Sequence, residues 1–153
     1  MQYEIKGGSM PVVVCTLQNG ESVKTEKGAM SWMSPNMEMQ TNAGGGIGKA
    51  FSRIFTGESM FQNIYTARGG TGLIAFASSF PGAILAIPIS ASHSIVAQKH
   101  AFLAMESGVE MKLFFQKRFG SGLFGGEGFI MQQFLGNGIV FLEIAGRAVH
   151  VAG

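Results

Sequence analysis

The sequence contains no aspartate, and this absence excludes several common kinds of catalytic and metal site. A Ser-His-Asp triad and an aspartate dyad both need this residue, and ordinary EF-hand loops bind calcium through it. The three histidines, His93, His100 and His150, never form an H-x-H pair and have no cysteine at ligand spacing. We therefore predict no bound metal, no cofactor and no enzymatic activity.

Cysteine is almost absent as well, since Cys15 is the only one in the chain. A single cysteine cannot form an intrachain disulfide, which favours a reducing compartment. Cys15 lies in a valine-rich apolar run, and this position favours a small strand residue over a nucleophile. The first residues lack the apolar segment of a signal peptide, so we expect a cytoplasmic protein.

Charged residues are also scarce. They make up 13% of the chain, whereas 46% is apolar and 23 residues are glycine. The charged share is about half the usual one, and the glycine share is about twice the usual one. A net charge of +2 is too small to indicate a polyanionic partner by itself. The composition is typical of a turn-rich β protein with much buried or subunit-facing surface, and 153 residues suit one domain.

Short apolar runs separated by glycine-containing turns predict an all-β sandwich or barrel. We expect strands around residues 3–5, 10–17, 29–33, 37–41, 60–67, 72–77, 83–89, 94–97, 101–105, 109–115, 129–135, 139–144 and 148–151. One short helix is predicted after Gly44, where an apolar stripe contains Ile47, Ala50, Phe51, Ile54 and Phe55. Its other face carries Lys49 and Arg53, so a weak membrane-surface contact stays open as the alternative to a helix that caps the sheet.

The second half of the chain resembles the first. Residues 17–41 align with residues 89–113 without a gap, so that Val23 meets Ile95 and Lys27 meets Lys99. Further along, both halves show a glycine-rich segment followed by two strands that we expect to form a hairpin. Matches in the same order favour duplication. We predict a single all-β unit of two internal repeats, about 10–82 and 83–153.

Duplication has a physical consequence. One repeat is too small to cover both faces of its sheet, so the repeats must pack on each other. The second repeat ends without a polar capping segment, and its outer edge therefore needs a further repeat or another subunit. A homo-oligomer is the partner that this pattern favours.

Glu58 and Glu127 occupy equivalent places in the glycine-rich segments of the two repeats. A catalytic carboxylate pair is one interpretation. We favour a structural role, in which each glutamate accepts backbone N–H bonds from its turn, because the residue recurs in each repeat.

The segments that carry a resemblance to a known family are residues 44–61, Pro81-Gly82 and residues 124–129. Together they resemble the altered-inheritance-of-mitochondria protein 24 family, and the resemblance covers essentially the whole chain. It implies a fold similar to the tryptophan RNA-binding attenuation protein, with β-sandwich, double-stranded β-helix-like repeats arranged around an axis. It also implies a third repeat that this chain lacks, and it carries over no catalytic residues.

Three functions follow as hypotheses. We favour a non-enzymatic oligomeric β scaffold or interaction protein. A nucleic-acid-binding ring, by analogy of fold alone, is the second, and a metal-dependent enzyme or hydrolase is the third. Phosphate contacts in the second would come from Lys24, Lys27, Lys99, Lys112, Lys117 and Arg118. Interspersed glutamates and the missing aromatic–basic platform count against nucleic acid.

The loop at residues 119–129 is the predicted interface. Glycines surround its large apolar residues, which are Phe119, Leu123, Phe124 and Phe129. A mobile glycine-rich loop buries such side chains poorly unless something covers them, and a cluster of them marks a contact surface. The alternative is that the loop folds back over the sheet.

Replacement of Leu123 and Phe124 by serine should therefore weaken assembly more than it lowers the melting temperature. Sedimentation and thermal melting of the double variant check this. Unchanged assembly with a large loss of thermal stability would place the loop in the core.

Overall fold

The protein is described by a computed structural model that covers residues 1–26, 28–42, 62–117 and 129–145. The strands of this part are β1 (Gln2–Lys6), β2 (Val12–Leu17), β3 (Ser22–Glu26), β4 (Met30–Met33), β5 (Met37–Asn42), β6 (Gln62–Ala67), β7 (Gly72–Ala77), β8 (Gly82–Ile89), β9 (Ile95–Gln98), β10 (Phe102–Glu106), β11 (Val109–Lys117), β12 (Phe129–Gly136) and β13 (Gly138–Ala145). They confirm the all-β prediction. The predicted helix after Gly44 and the strand predicted at 148–151 lie outside the described residues.

A 3₁₀ turn at Lys99–Ala101 is the only helical element within these ranges. Accordingly, no helix in the described part of the chain is long and apolar enough to cross a membrane.

The strands form three antiparallel sheets. The first sheet has the order β1-β2-β7-β4, the central sheet has the order β5-β6-β3-β10-β13-β8, and the third sheet has the order β11-β12-β9. Side chains alternate along the strands, as in β2, where Val13, Cys15 and Leu17 are fully buried and the residues between them are partly exposed. Such alternation gives the first and third sheets one strongly apolar face, whereas β10 and β13 of the central sheet are buried on both faces.

Two apolar clusters fill the space between these faces. The larger one joins Val13 and Phe76 of the first sheet to Val23, Leu103 and Phe141 of the central sheet. The second joins the central sheet to the third, and its centre is a stacked pair of rings, Phe102 and Phe134, with centroids 5.7 Å apart. The central sheet is therefore packed against both of the other sheets.

The two halves of the chain have the same strand order. In the first half β2-β7-β4 are neighbours, and in the second half β8-β13-β10 are neighbours in the same way. The order β5-β6-β3 likewise recurs as β11-β12-β9. Even the irregularity is repeated, because the pairing of β4 with β7 shifts between Met30 and Trp32, and that of β10 with β13 shifts between Phe102 and Ala104. This correspondence is what a duplication requires.

The halves are joined by the pairing of β3 with β10, which makes one six-stranded sheet out of two three-stranded ones. β3 was not among the predicted strands, and the prediction was wrong at this point. Its sequence, Ser-Val-Lys-Thr-Glu, is mostly polar and so lacks the apolar run by which the other strands were identified. Thr25 is nevertheless fully buried, because its hydroxyl donates to the Leu103 carbonyl.

The prediction that these pairs of strands form hairpins was also wrong. β12 belongs to the third sheet and β13 to the central sheet, and β6 and β7 are divided between sheets in the same way. Each of these strands has an apolar side, as Phe134 and Val140 show. These sides meet across the core, so the turn that joins two such strands carries the chain from one sheet to the other.

The turn after β12 depends on its glycines. Gly136 has a φ of +101°, and a Cβ added there would lie 2.3 Å from the Gly108 carbonyl oxygen. Gly20 has a similar φ of +87°, but a Cβ there would meet no atom within 4 Å. A comparison of substitutions at the two positions therefore distinguishes the cost of backbone strain from the cost of steric overlap.

We expect Gly136→Ala to lower the free energy of unfolding by more than about 2 kcal/mol, because it adds a clash to the strained backbone. Gly20→Ala should cost roughly 1–2 kcal/mol, from the backbone alone. Urea unfolding of both variants measures the difference. Equal losses would show that the structure relieves the contact between the added methyl group at position 136 and the Gly108 carbonyl oxygen without a cost in free energy.

Candidate interaction surface

An apolar cavity of about 630 Å³ lies between β8 and β9. Its lining is mostly aliphatic and includes Leu85, Ile87, Ile95, Ala97, Leu142 and Ile144. His93 and Ser94 are its polar side chains. A cavity of this composition suits apolar contact better than the orientation of a polar substrate.

The first repeat shows how residues equivalent to the cavity lining are buried when another sheet covers them. Four of its inward residues are fully buried, namely Val13, Cys15, Val23 and Thr25. Their equivalents in the second repeat are partly exposed and line the cavity, namely Leu85, Ile87, Ile95 and Ala97. The difference comes from packing: the first repeat is covered by the second, through Ile84, Leu103 and Phe141. Within the described residues, no further sheet covers the second repeat.

The edge of β9 is open in the same part of the structure. β3 pairs with β6 on one side and β10 on the other, whereas β9 pairs only with β12 among the residues described. Val96 is 38% exposed on this edge. Gln132, opposite Ala97, is fully buried, and neither of its amide atoms has a hydrogen-bond partner in the described structure. The second repeat is therefore less completely packed than the first.

The opposite end of the molecule carries a second open edge. β10 pairs on both sides, but its equivalent β4 pairs only with β7 as far as the chain is described. Large apolar side chains are exposed there, with Trp32 at 46%, Met33 at 37% and, on β7, Leu73 at 39%. Contiguous apolar surface of this kind marks a contact site.

The predicted site residues fall almost entirely outside the part of the chain that the structure describes. Phe119, Leu123 and Phe124 are outside the described residues, as are Glu58 and Glu127. Phe129 begins β12 opposite Lys117. The interface at residues 119–129 and the structural role of the two glutamates thus stay predictions.

The sequence predicted that the outer edge of the second repeat needs a covering partner, but it did not identify β9 and β4 as the open strands. β8 and β9 contain the apolar residues of ordinary core strands, and no feature of their sequence shows that the core around them is incomplete. The signal lay in the repeat alignment, which matches Val23 with Ile95. It could have located β3 and, with it, the junction that β9 lacks.

The titratable groups of the described chain do not form a metal site. No group of three His, Cys, Asp or Glu residues in these ranges could hold a metal ion. Cys15 is buried, and burial, together with the Glu106 charge, raises the pKa of its thiol to about 12. At neutral pH it is therefore a protonated strand residue, as expected from its position. Glu143 is held by Ser79, whose N–H and O–H donate to it at 3.0 and 2.6 Å.

The comparisons with known proteins agree with the fold. The family described as "Mitochondrial biogenesis AIM24" matches residues 3–152. The uncharacterized protein M6_Spy0233 of Streptococcus pyogenes serotype M6 is 32% identical over 125 residues, which are 77% of this chain and 49% of that protein. The crystal structure of protein SPYM3_0169 from Streptococcus pyogenes superposes with a TM-score of 0.75 at 25% identity, over 95% of this chain and 65% of that one. The chain thus spans about half the length of the curated relative.

Glu26 provides a test of the packing around β3. Burial raises the pKa of this carboxyl, the Lys99 charge opposes the shift, and one carboxylate oxygen is buried without a partner in the described residues. A raised folded-state pKa means that ionised Glu26 destabilises the fold at neutral pH, and that this penalty disappears as the pH falls and the group takes up a proton.

We expect Glu26→Gln to increase the free energy of unfolding at about pH 7.5 and to have a smaller effect at about pH 4. Exposed Glu110, changed to Gln, is the matched control and should change stability little at either pH. Urea unfolding at both pH values measures this. A loss of stability in Glu26→Gln at the higher pH would mean that the attraction to Lys99 outweighs burial.

Proposed function

The chain belongs to the mitochondrial biogenesis AIM24 family, and we propose that it is a non-enzymatic oligomeric β scaffold that binds protein partners, copies of itself first. This proposal rests mainly on one observation. The second repeat exposes an apolar cavity at the positions that are fully buried in the first. A protein that works as an isolated unit gains nothing from such a surface, whereas an assembling one uses it as its contact.

The energetics favour a covered state. Full burial of an aliphatic side chain contributes about 1.5–3 kcal/mol relative to full exposure. Leu85, Ile87 and Ile95 are already partly buried, so a partner would add a fraction of this amount for each. Trp32 and Leu73 at the other end would add more. Part of the sum is offset by the lost freedom of the partners.

The chemistry of the described sites supports binding over catalysis. The cavity is aliphatic, with His93 as its one titratable lining residue. Cys15 is protonated at neutral pH, and Glu143 is engaged with Ser79. Among the six cations considered for phosphate contacts, Lys24 is occupied within the chain, because its ammonium donates to the Val109 carbonyl at 2.7 Å.

In its finer form, the proposal is a cytoplasmic assembly of repeats around an axis, as in the tryptophan RNA-binding attenuation protein. Repeats that pair edge to edge with a constant rotation close into a ring when the rotation permits. A reducing compartment suits a chain whose single cysteine is a buried thiol.

Sedimentation velocity of the full-length gene product at micromolar concentration tests this proposal. We expect an oligomer that persists at high salt, because apolar contacts are not screened as exposed ion pairs are. A monomer over the whole concentration range would overturn the proposal. Stoichiometric metal in the purified protein, or salt-dependent binding of mixed RNA, would support the enzyme or the nucleic-acid alternative instead.

A further inference from the structure

We propose that copies of this chain assemble head to tail, with β4 of one copy added antiparallel to the open edge of β9 of the next. Trp32 would stand opposite Ala97 and Met33 opposite Val96. This inference rests on the proposed function and specifies the surface through which the scaffold assembles.

The template for this contact is inside the chain. β10 pairs antiparallel with β3, so that Ala104 stands opposite Thr25 and Met105 opposite Lys24. β4 is the equivalent of β10 and β9 is the equivalent of β3 in both strand order and register. The described part of the chain therefore contains one completed junction and, at its opposite ends, the two halves of a second one, β4 and β9, each without a partner strand on one side among these residues.

The register of β4 matches that of β10 in the template. β10 meets β13 through Ala104 opposite Phe141, and β4 meets β7 through Trp32 opposite Ala75, with the same irregularity before each pair. A strand with this shape already fits beside β3. Within the described ranges, the edge of β9 offers the same pattern of unpaired N–H and C=O groups, and an added strand would satisfy them.

Side chains complement each other across the proposed contact. In the completed junction, Ile139 of β13 packs against the apolar core that the first repeat provides. Its equivalent is Leu73, which is 39% exposed on β7. When β4 of a second copy lies beside β9, its neighbour β7 brings Leu73 over the cavity lined by Leu85 and Ile87. The partner thus fills the cavity by the same packing that buries Val13 in the first repeat.

The contact joins two different surfaces, so it is heterologous. Each added copy covers one free edge and presents one new one, so a free β4 and a free β9 remain at the two ends until a ring closes. A symmetric pairing of two β4 edges, or of two β9 edges, has no template in the structure. A third repeat carried by the same polypeptide is the alternative occupant of the β9 edge.

Cysteine crosslinking tests the register. The native Cys15 is buried and fully protonated at neutral pH, so engineered cysteines report alone. We would prepare Met33→Cys and Val96→Cys separately, mix them and oxidise them mildly. Directly opposed residues of antiparallel strands have Cα atoms about 4.5–5.5 Å apart, which a disulfide can bridge. We expect a crosslinked dimer in the mixture and in neither variant alone.

Met39→Cys is the matched control. It replaces an exposed methionine on another edge strand, β5, where the side chain is 50% exposed. Mixed with Val96→Cys, it should give no crosslink. A crosslink of Met33→Cys with itself, or equal crosslinking by Met39→Cys, would overturn the proposed contact.

A second measurement does not depend on disulfide geometry. Met33→Glu and Val96→Glu place a charge in the proposed contact, and both side chains are exposed enough for the fold to tolerate the change. We expect either variant to weaken association at least about tenfold in sedimentation equilibrium with an unchanged melting transition at high dilution, whereas Met39→Glu should associate as the wild type does.

The outcomes separate this inference from the proposed function. An oligomeric wild type that both glutamate variants leave intact would overturn the β4–β9 contact and retain the scaffold. A monomeric wild type would overturn both. A monomeric Val96→Cys variant whose thiol resists labelling would show that another part of the same polypeptide covers β9, and it would also overturn the head-to-tail assembly.

Discussion

The fold depends on the antiparallel pairing of β3 with β10, because this pairing makes the two repeats one continuous sheet. Several contacts reinforce it in addition to the hydrogen bonds between the two backbones. The Thr25 hydroxyl donates to the Leu103 carbonyl, and the Lys24 ammonium donates to the Val109 carbonyl. The Met1 ammonium lies 3.0 Å from Glu21 and 3.9 Å from Glu106, so it bridges the two repeats. Without this junction, the inward side of the first repeat would be as exposed as that of the second.

Stacked repeats have a general property that this chain shows clearly. In an open row, a junction that uses two different edges leaves one edge of each kind unused at the ends, however many repeats are joined. Globular proteins commonly protect such edges with charges, prolines or covering segments. Here the two edges carry Trp32, Met33 and Val96 instead, which are suited to contact and poorly suited to water. The surface at which the packing is incomplete is therefore also the candidate interaction surface.

Much of the fold could be predicted from the sequence, because strands such as β2 and β7 are short apolar runs between glycine turns. The likeness of the two halves could also be recognised in the sequence, since the alignment of Val23 with Ile95 compares residue types at fixed spacing. β3 escaped prediction because the burial of Thr25 relies on a hydrogen bond to a strand far away in the sequence. The hairpins were mistaken because a turn of the Gly136-Asn137-Gly138 kind fits a chain that changes sheets as well as one that folds back on itself.

By itself, the sequence determined the class of structure: local alternation, glycine turns and an internal repeat suffice for an all-β fold, because they depend on near neighbours. Only the tertiary structure decided which residues of that pattern are covered. Val13 and Leu85 are equivalent aliphatic strand residues, yet one is fully buried and the other partly exposed. Burial is set by what packs above a residue, and that neighbour comes from the other repeat. The candidate site is thus a property of the arrangement of sheets, and no single stretch of the chain contains it.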